Sequence, residues 1–312
     1  MGNVEKLDDQ VWRIRLKQPV PVDVFSYLIT SSKITLIDCG HKSPISQQDL
    51  LAAFEEIGIV PSDVDQIILT HCHVDHIGAL VSGGPLFKNT PVIACHGAAE
   101  SVVGFDHFNS IRHNVPDDKI FKRMIDDTLI SSSADYYKLE DPLIIHREVR
   151  SGDLIDIGGD TLRVIETPGH SESHISLLRD RSASLFAGDI VSSTGPPGLI
   201  VDLEQYIGTL NRLRSMTLSR IYPGHGPIIN QPQEAIELAL NRIQQTDELI
   251  MDYISKSATT PFEIALQFTR GEVNQRTRFF INITLIHLER LSKKKKINLE
   301  YQNGIIKNIT LA

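Results

Sequence analysis

Three imidazoles and a carboxylate crowd into six residues at His71-Cys72-His73-Val74-Asp75-His76. His71 and His73 are two apart, so in an extended segment both rings project to one side and Cys72 to the other. Asp75 and His76 can turn back toward them from the next loop or helical turn. Four such groups are hard to place in a packed core, where an unpaired polar group costs on the order of several kcal/mol. Imidazole with carboxylate is a donor set for Zn, Mn or Fe, so the stretch is expected to be a metal site. The preceding Ile67-Ile68-Leu69 has the look of a buried strand, which puts the histidines on the loop at its carboxyl end, where α/β sheets hold ligands. Gly78 is expected to let the chain turn into a helix.

The His-x-His-x-Asp-His spacing resembles the signature of the metallo-β-lactamase superfamily, with no departure at the ligand positions. Three later segments extend the likeness. Thr167-Pro168-Gly169-His170 follows Leu162-Arg163-Val164-Ile165, Phe186-Ala187-Gly188-Asp189 ends another apolar run, and Tyr222-Pro223-Gly224-His225 follows Arg220-Ile221. The resemblance implies that one ion takes His71, His73 and His170, that a second takes Asp75, His76 and His225, and that Asp189 bridges the two. It implies an α/β fold as an αββα sandwich of two mixed sheets flanked by helices. Asp38, in Leu36-Ile37-Asp38-Cys39-Gly40, resembles the family's strand-end acid that supports the metal loop from behind; a plain turn residue is the competing reading.

The elements that must position these groups can be read in turn. Val11–Leu16, Val24–Ile29 and 33–37 read as strands, and Leu50, Leu51, Phe54 and Ile57 fall at helical spacing before Gly58. A further strand is expected over 91–95, ending at His96, which reads as a hydrogen-bonded strand-end imidazole. From about 97 to 150 the pattern loosens into a helical insertion, where Phe105, His107 and Tyr136 are weak candidates for a pocket wall. Asp153 to Glu166 reads as a hairpin around Gly158-Gly159, feeding the His170 loop. His174, four residues on, is expected to hold that loop by hydrogen bonds rather than to ligate. Gly195-Pro196-Pro197-Gly198 follows Asp189 closely enough to shape the pocket, and Tyr206 on the next helix is a candidate phenol donor to the site.

Residues 1–230 are thus expected to form the catalytic domain, and 231–312 a linker helix and a small winged-helix-like domain. Two helices, over 261–268 and 279–291, precede an Asn303-Gly304 hairpin, an order that resembles the C-terminal domain of some superfamily members. Lys293-Lys294-Lys295-Lys296 closes the last helix, where cations oppose the dipole and can meet phosphate. No aromatics are interleaved with them to stack bases.

Composition bounds the reading. At 312 residues with 41% apolar content the chain can bury a large core, and its net charge of −8 argues against a globally basic nucleic-acid binder. No apolar run approaches the roughly 20 residues of a membrane helix, and no basic-then-apolar leader opens the chain, so a cytoplasmic location is expected. Cys39, Cys72 and Cys95 are too few and too spread for a disulfide framework or a metal knuckle.

Two ions roughly 3.5 to 4 Å apart can make water reactive near neutral pH and polarise an acyl or phosphoryl oxygen. Asp75 could then orient the hydroxide or carry its proton. The expected activity is hydrolysis of a small ester-like substrate (a thioester, lactone or related acyl compound), with two divalent ions, Zn first and Mn or Fe as substitutes, in a chain that could form a homodimer. The rivals are an endoribonuclease or phosphodiesterase using the lysines, a mononuclear-iron persulfide dioxygenase, and a non-catalytic effector-binding module.

Overall fold

A computed structural model describes residues 3–82, 84, 86–99, 115 and 138–312. Its frame is two facing mixed sheets. The first runs β1 (Val4–Lys6), β2 (Val11–Leu16), β3 (Val24–Ile29), β4 (Thr35–Ile37), β5 (Gln66–Ile68), β6 (Val92–Cys95) and β7 (Arg147–Val149), in that spatial order. Pairing is antiparallel through β4 and parallel from β4 to β7. The second orders β12 (Arg220–Pro223), β11 (Ser184–Gly188), β10 (Ile175–Arg179), β9 (Thr161–Glu166) and β8 (Leu154–Asp156), with only β11 and β12 parallel.

Strands covered on both faces carry mostly apolar runs rather than strict alternation, and β4, β5, β6, β10 and β11 are buried at every position. Between the sheets Tyr27, Phe186 and Tyr222 meet at ring separations of 5.1–5.6 Å, each such contact adding about 0.5–1.5 kcal/mol beyond its burial. Gln66, buried in β5, donates to Thr35 Oγ1 and across to the Asp156 carbonyl, which pins one sheet to the other. Helix α1 (Pro44–Ile57) lays Leu50 and Phe54 against the first sheet; α2 (Val74–Ile77) is a single turn after β5. On the second sheet's outer face α3 (Leu203–Arg214) and the first half of α4 (Pro232–Ser255) share one apolar cluster.

The second half of α4 belongs elsewhere: Ile250 and Ile254 pack with Ile264, Leu288 and Ile309 in a separate core. That core joins α5 (Pro261–Phe268), α6 (Gln275–Lys293) and the hairpin β13 (Ile297–Gln302) and β14 (Ile305–Leu311). Thr260 and Glu263 cap α5 reciprocally, and Asn303-Gly304, both at positive φ, makes the expected turn. The border expected at 230/231 therefore falls just before a helix that serves both sides.

Gly78 lets the chain turn as expected: after the single turn of α2 it opens a short 3-10 turn over Gly78–Leu80. A Cβ there would collide with the backbone of His41 and Lys42, and its N–H donates to the Gly40 carbonyl at 2.6 Å. One expectation changes in detail. The insertion expected over 97–150 ends before β7, which completes the first sheet; Phe105, His107 and Tyr136 lie outside the described residues.

Candidate metal centre

Every predicted ligand leaves the carboxyl end of a strand, and the two sheets deliver them to one place. His71 and His73 follow β5, Asp75 and His76 ride on α2, His170 follows β9, Asp189 follows β11 and His225 follows β12. His71 Nε2 lies 2.9 Å from His73 Nδ1, and His170 Nε2 lies 2.9 Å from His73 Nδ1 and 3.3 Å from His71 Nε2. Asp189 Oδ2 stands 3.5 Å from His170 Nε2 and 3.9 Å from His71 Nε2. In the second group Asp75 Oδ2 is 3.2 Å from His225 Nε2, and Asp75 Oδ1 is 4.0 Å from His76 Nε2. Asp189 reaches this group as well, through Oδ2 to His225 Nε2 at 3.3 Å and Oδ1 to His76 Nε2 at 3.5 Å. The seven thus fall into two clusters, joined through one carboxylate.

Donor atoms at about 2.1 Å from a tetrahedral zinc stand about 3.4 Å apart, and these spacings bracket that edge. The far ring nitrogens of four of the five clustered histidines are already spent, His73 Nε2 being buried without a hydrogen-bond partner. His71 Nδ1–H donates to Thr70 Oγ1 at 3.0 Å, and that hydroxyl donates to Asp38 Oδ2 at 2.8 Å. His76 Nδ1–H donates to Asp38 Oδ2 at 2.9 Å, His170 Nδ1–H to the Leu199 carbonyl at 2.7 Å, and His225 Nδ1–H to the Asp23 carbonyl at 2.7 Å. Each bond sets the tautomer that leaves Nε2 as a lone-pair donor facing the cluster. His76 Nε2 and Asp189 Oδ1 are buried with no hydrogen-bond partner, a costly arrangement unless a cation completes it.

Burial and the crowding of like rings hold His71 well below the ordinary imidazole value, and burial followed by His170 pushes His73 down to about 3. His170 is lowered too, by burial first. These three are neutral at pH 7, as ligands must be. In the second group burial opposes protonation, but Asp189, Asp38 and Asp75 outweigh it and lift His76 to about 10. Asp189 and Asp75 raise His225 against the same penalty. Burial would raise Asp189, yet His225 and His76 hold it well below the usual carboxylate range. Three carboxylates, the buried Asp38 and the partly buried Asp75 and Asp189, thus converge where positive charge is needed.

Asp38 is buried and at φ +55, with the Thr70 N–H on its Oδ1 at 2.8 Å. His174 is a loop-holder: its Nδ1–H donates to Thr167 Oγ1 at 2.7 Å and its Nε2 accepts from the Asp189 N–H at 3.2 Å. Tyr206 is not at the site. It is fully buried, its hydroxyl donates to the Ile190 carbonyl at 2.9 Å, and its backbone is what lies against Gly169, at φ +132, in the His170 loop. Apolar spacing on α3 could not show which way that ring points.

The predicted ligands open onto a cavity of about 460 Å³, within the range that takes a small molecule. Pro196, Pro197 and Leu199 line it, as the position of their loop suggested, and so do Val22 and Phe279, which nothing in the motifs singled out. Gln18 Nε2, 3.4 Å from Asp75 Oδ2, was likewise not foreseen.

Comparison with known proteins places these features. The family model described as "Metallo-beta-lactamase superfamily" matches residues 19–225. The "Probable metallo-hydrolase YqjP" of Bacillus subtilis (strain 168) is 24% identical, covering 96% of this chain and 97% of its own length. An "Atrochrysone carboxyl ACP thioesterase" of Aspergillus fumigatus is 25% identical over 77% of this chain and 67% of its own. A crystal structure of a β-lactamase domain protein from Burkholderia ambifaria superposes with a TM-score of 0.83 at 20% identity, over 99% of this chain and 94% of that one. That likeness of fold extends through the C-terminal helices and hairpin.

Proposed function

The chain belongs to the metallo-beta-lactamase superfamily and is a hydrolase of that kind, and from this premise we propose that it hydrolyses a small acyl ester or thioester with two divalent ions. The observation that carries the reading is the pair of ligand clusters joined by Asp189 at the mouth of a largely apolar cavity. His71, His73 and His170 would hold one ion, Asp75, His76 and His225 the other, with Asp189 shared. Ions bound there would lower the pKa of water toward neutrality and polarise the acyl oxygen, and the nitrogen and oxygen donors suit Zn, with Mn or Fe as substitutes.

The protein's own groups do the rest. Asp75, which lines the cavity, takes the proton of the attacking water at Oδ2, steadied by the Gln18 amide. The apolar wall keeps bulk water from the reacting centre. No serine or cysteine nucleophile is required, and the thioesterase among the relatives is consistent with acyl chemistry.

A polyanionic substrate fits less well. Lys293 pairs with Glu289 at 2.7 Å and Lys294 with Glu204 at 3.6 Å, so part of the expected phosphate grip is spent on acids. A single-iron dioxygenase would use the first cluster and leave Asp75, His76 and His225 without a task. The test is metal quantification followed by a panel of thioesters, lactones, phosphodiesters and RNA. Metal-dependent turnover of an acyl substrate is expected; full turnover by metal-stripped protein, or turnover of RNA alone, refutes the reading.

A further inference from the structure

The cavity wall facing the ligands is built partly by the C-terminal helices. Phe279, in the second turn of α6, keeps 42% of its surface exposed while its ring lies on Gly198: a Cβ on that glycine would stand 2.5 Å from Phe279 Cε2. Asn282, one turn on, donates to the Gly198 carbonyl at 3.5 Å. Gly195, at φ +105, leans in the same way on Arg242 of α4, where a Cβ would stand 2.5 Å from Cδ. The 192–199 loop is therefore braced from behind by α4 and α6. Its ends reach the ligands directly, because it starts three residues after Asp189 and its Leu199 carbonyl holds His170.

The Phe279 ring is itself braced. It meets Phe280 edge-on at 5.3 Å, Phe280 stacks on Phe268 of α5 at 4.8 Å and 7°, and Phe268 meets Tyr253 of α4 at 5.3 Å. A line of aromatic rings thus runs from the C-terminal helices to the cavity and leaves its last ring uncovered there. Beside it stand Val22, Val191, Pro196, Pro197 and Leu199, and among the described residues the cavity has no Lys or Arg in its wall. A carboxylate or phosphate on the far end of a substrate would meet no cation among the described residues of that wall, whereas a hydrocarbon chain would meet a surface ready to shed water.

We propose that Phe279 is a specificity-determining residue that seats the acyl chain of an uncharged, apolar acyl ester or thioester. The C-terminal helices then select the substrate on which the ligand cluster acts. This rests on the acyl-hydrolysis reading above, and the experiment separates the two.

Metal-loaded wild type, Phe279→Ala and Phe279→Leu are assayed on p-nitrophenyl esters from acetyl to octanoyl, with melting temperature and metal content recorded for each. Wild-type kcat/KM rises roughly three- to fourfold per added methylene, the gain from moving one CH₂ out of water, until the seat is full. Phe279→Ala flattens the rise, and Phe279→Leu, which keeps an apolar side chain, retains most of it. An unchanged slope in folded, metal-loaded Phe279→Ala overturns the inference and leaves acyl hydrolysis standing. If neither these esters nor the matching acyl thioesters and lactones turn over, acyl hydrolysis fails, and calorimetry with octanamide decides for the seat. Binding about tenfold weaker in Phe279→Ala supports it; equal binding, or none to wild type, overturns it.

Discussion

Asp38 Oδ2 accepts from His76 Nδ1 at 2.9 Å and from the Thr70 hydroxyl at 2.8 Å, so one buried carboxylate orients a ligand of each cluster, His71 through Thr70 and His76 directly. Asp38→Asn removes the charge but keeps the shape, and asparagine tolerates the left-handed backbone found here. Metal affinity should fall by about 10- to 100-fold with little change in fold, as when an outer partner of a ligand is lost. Equilibrium dialysis against a zinc buffer reads this; wild-type affinity in the variant would remove Asp38 from the centre.

Asp189 touches both clusters and His73 only one. Asp189→Ala should therefore lose both ions, and His73→Ala chiefly one, each with turnover reduced by more than about a hundredfold, beyond the effect of losing an outer partner. Elemental analysis of the purified variants alongside activity checks it. A chelator should reproduce the Asp189→Ala state and lower the melting temperature, because ions that bind only the folded chain stabilise it.

Gly224 stands against the centre for a steric reason. A Cβ there would collide with Asp189 Oδ1 and lie 2.8 Å from His76 Cε1. Gly224→Ala should cost about 1–3 kcal/mol as overpacking and release metal from the second cluster. Gly226→Ala is the contrast. Its φ of +79 strains any side chain, but the nearest atom is Ser193 Oγ at 4.0 Å, so it should lose about 1 kcal/mol and keep its metal. Urea unfolding with metal analysis separates the two, and equal metal loss would show that the collision is not what matters.

The three thiols are buried and free. Burial, reinforced by Asp38, pushes Cys72 up to about 12, and burial, reinforced by Glu166, pushes Cys95 up to about 11; Cys39 is raised by burial as well. At pH 8 the thiolate fraction of each is negligible. A disulfide reagent should therefore label none of them in folded protein and all three in denaturant. Rapid labelling of Cys72 under native conditions would mean that the loop carrying His71 and His73 opens.

The clustering of the candidate ligands was legible in the chain because they come as short motifs tied to strand ends: His71, His73, Asp75 and His76 in one run, then His170, Asp189 and His225 each after an apolar stretch. Backbone carbonyls carry no such mark. Nothing in residue types points to Asp23 as the partner of His225 or Leu199 as that of His170. Distance along the chain hid Phe279, which reaches the cavity from α6, some 50 positions beyond the last ligand. Tyr206 failed the other way: a polar aromatic near the Asp189 loop invites a chemical role, but its hydroxyl is spent on Ile190.

Helix α4 runs without a break from the apolar cluster over the second sheet into the C-terminal core. A rigid rod shared by two compact regions leaves no hinge between them. Heating should therefore melt them in a single cooperative transition, and a cut within 244–249 should separate that event into two.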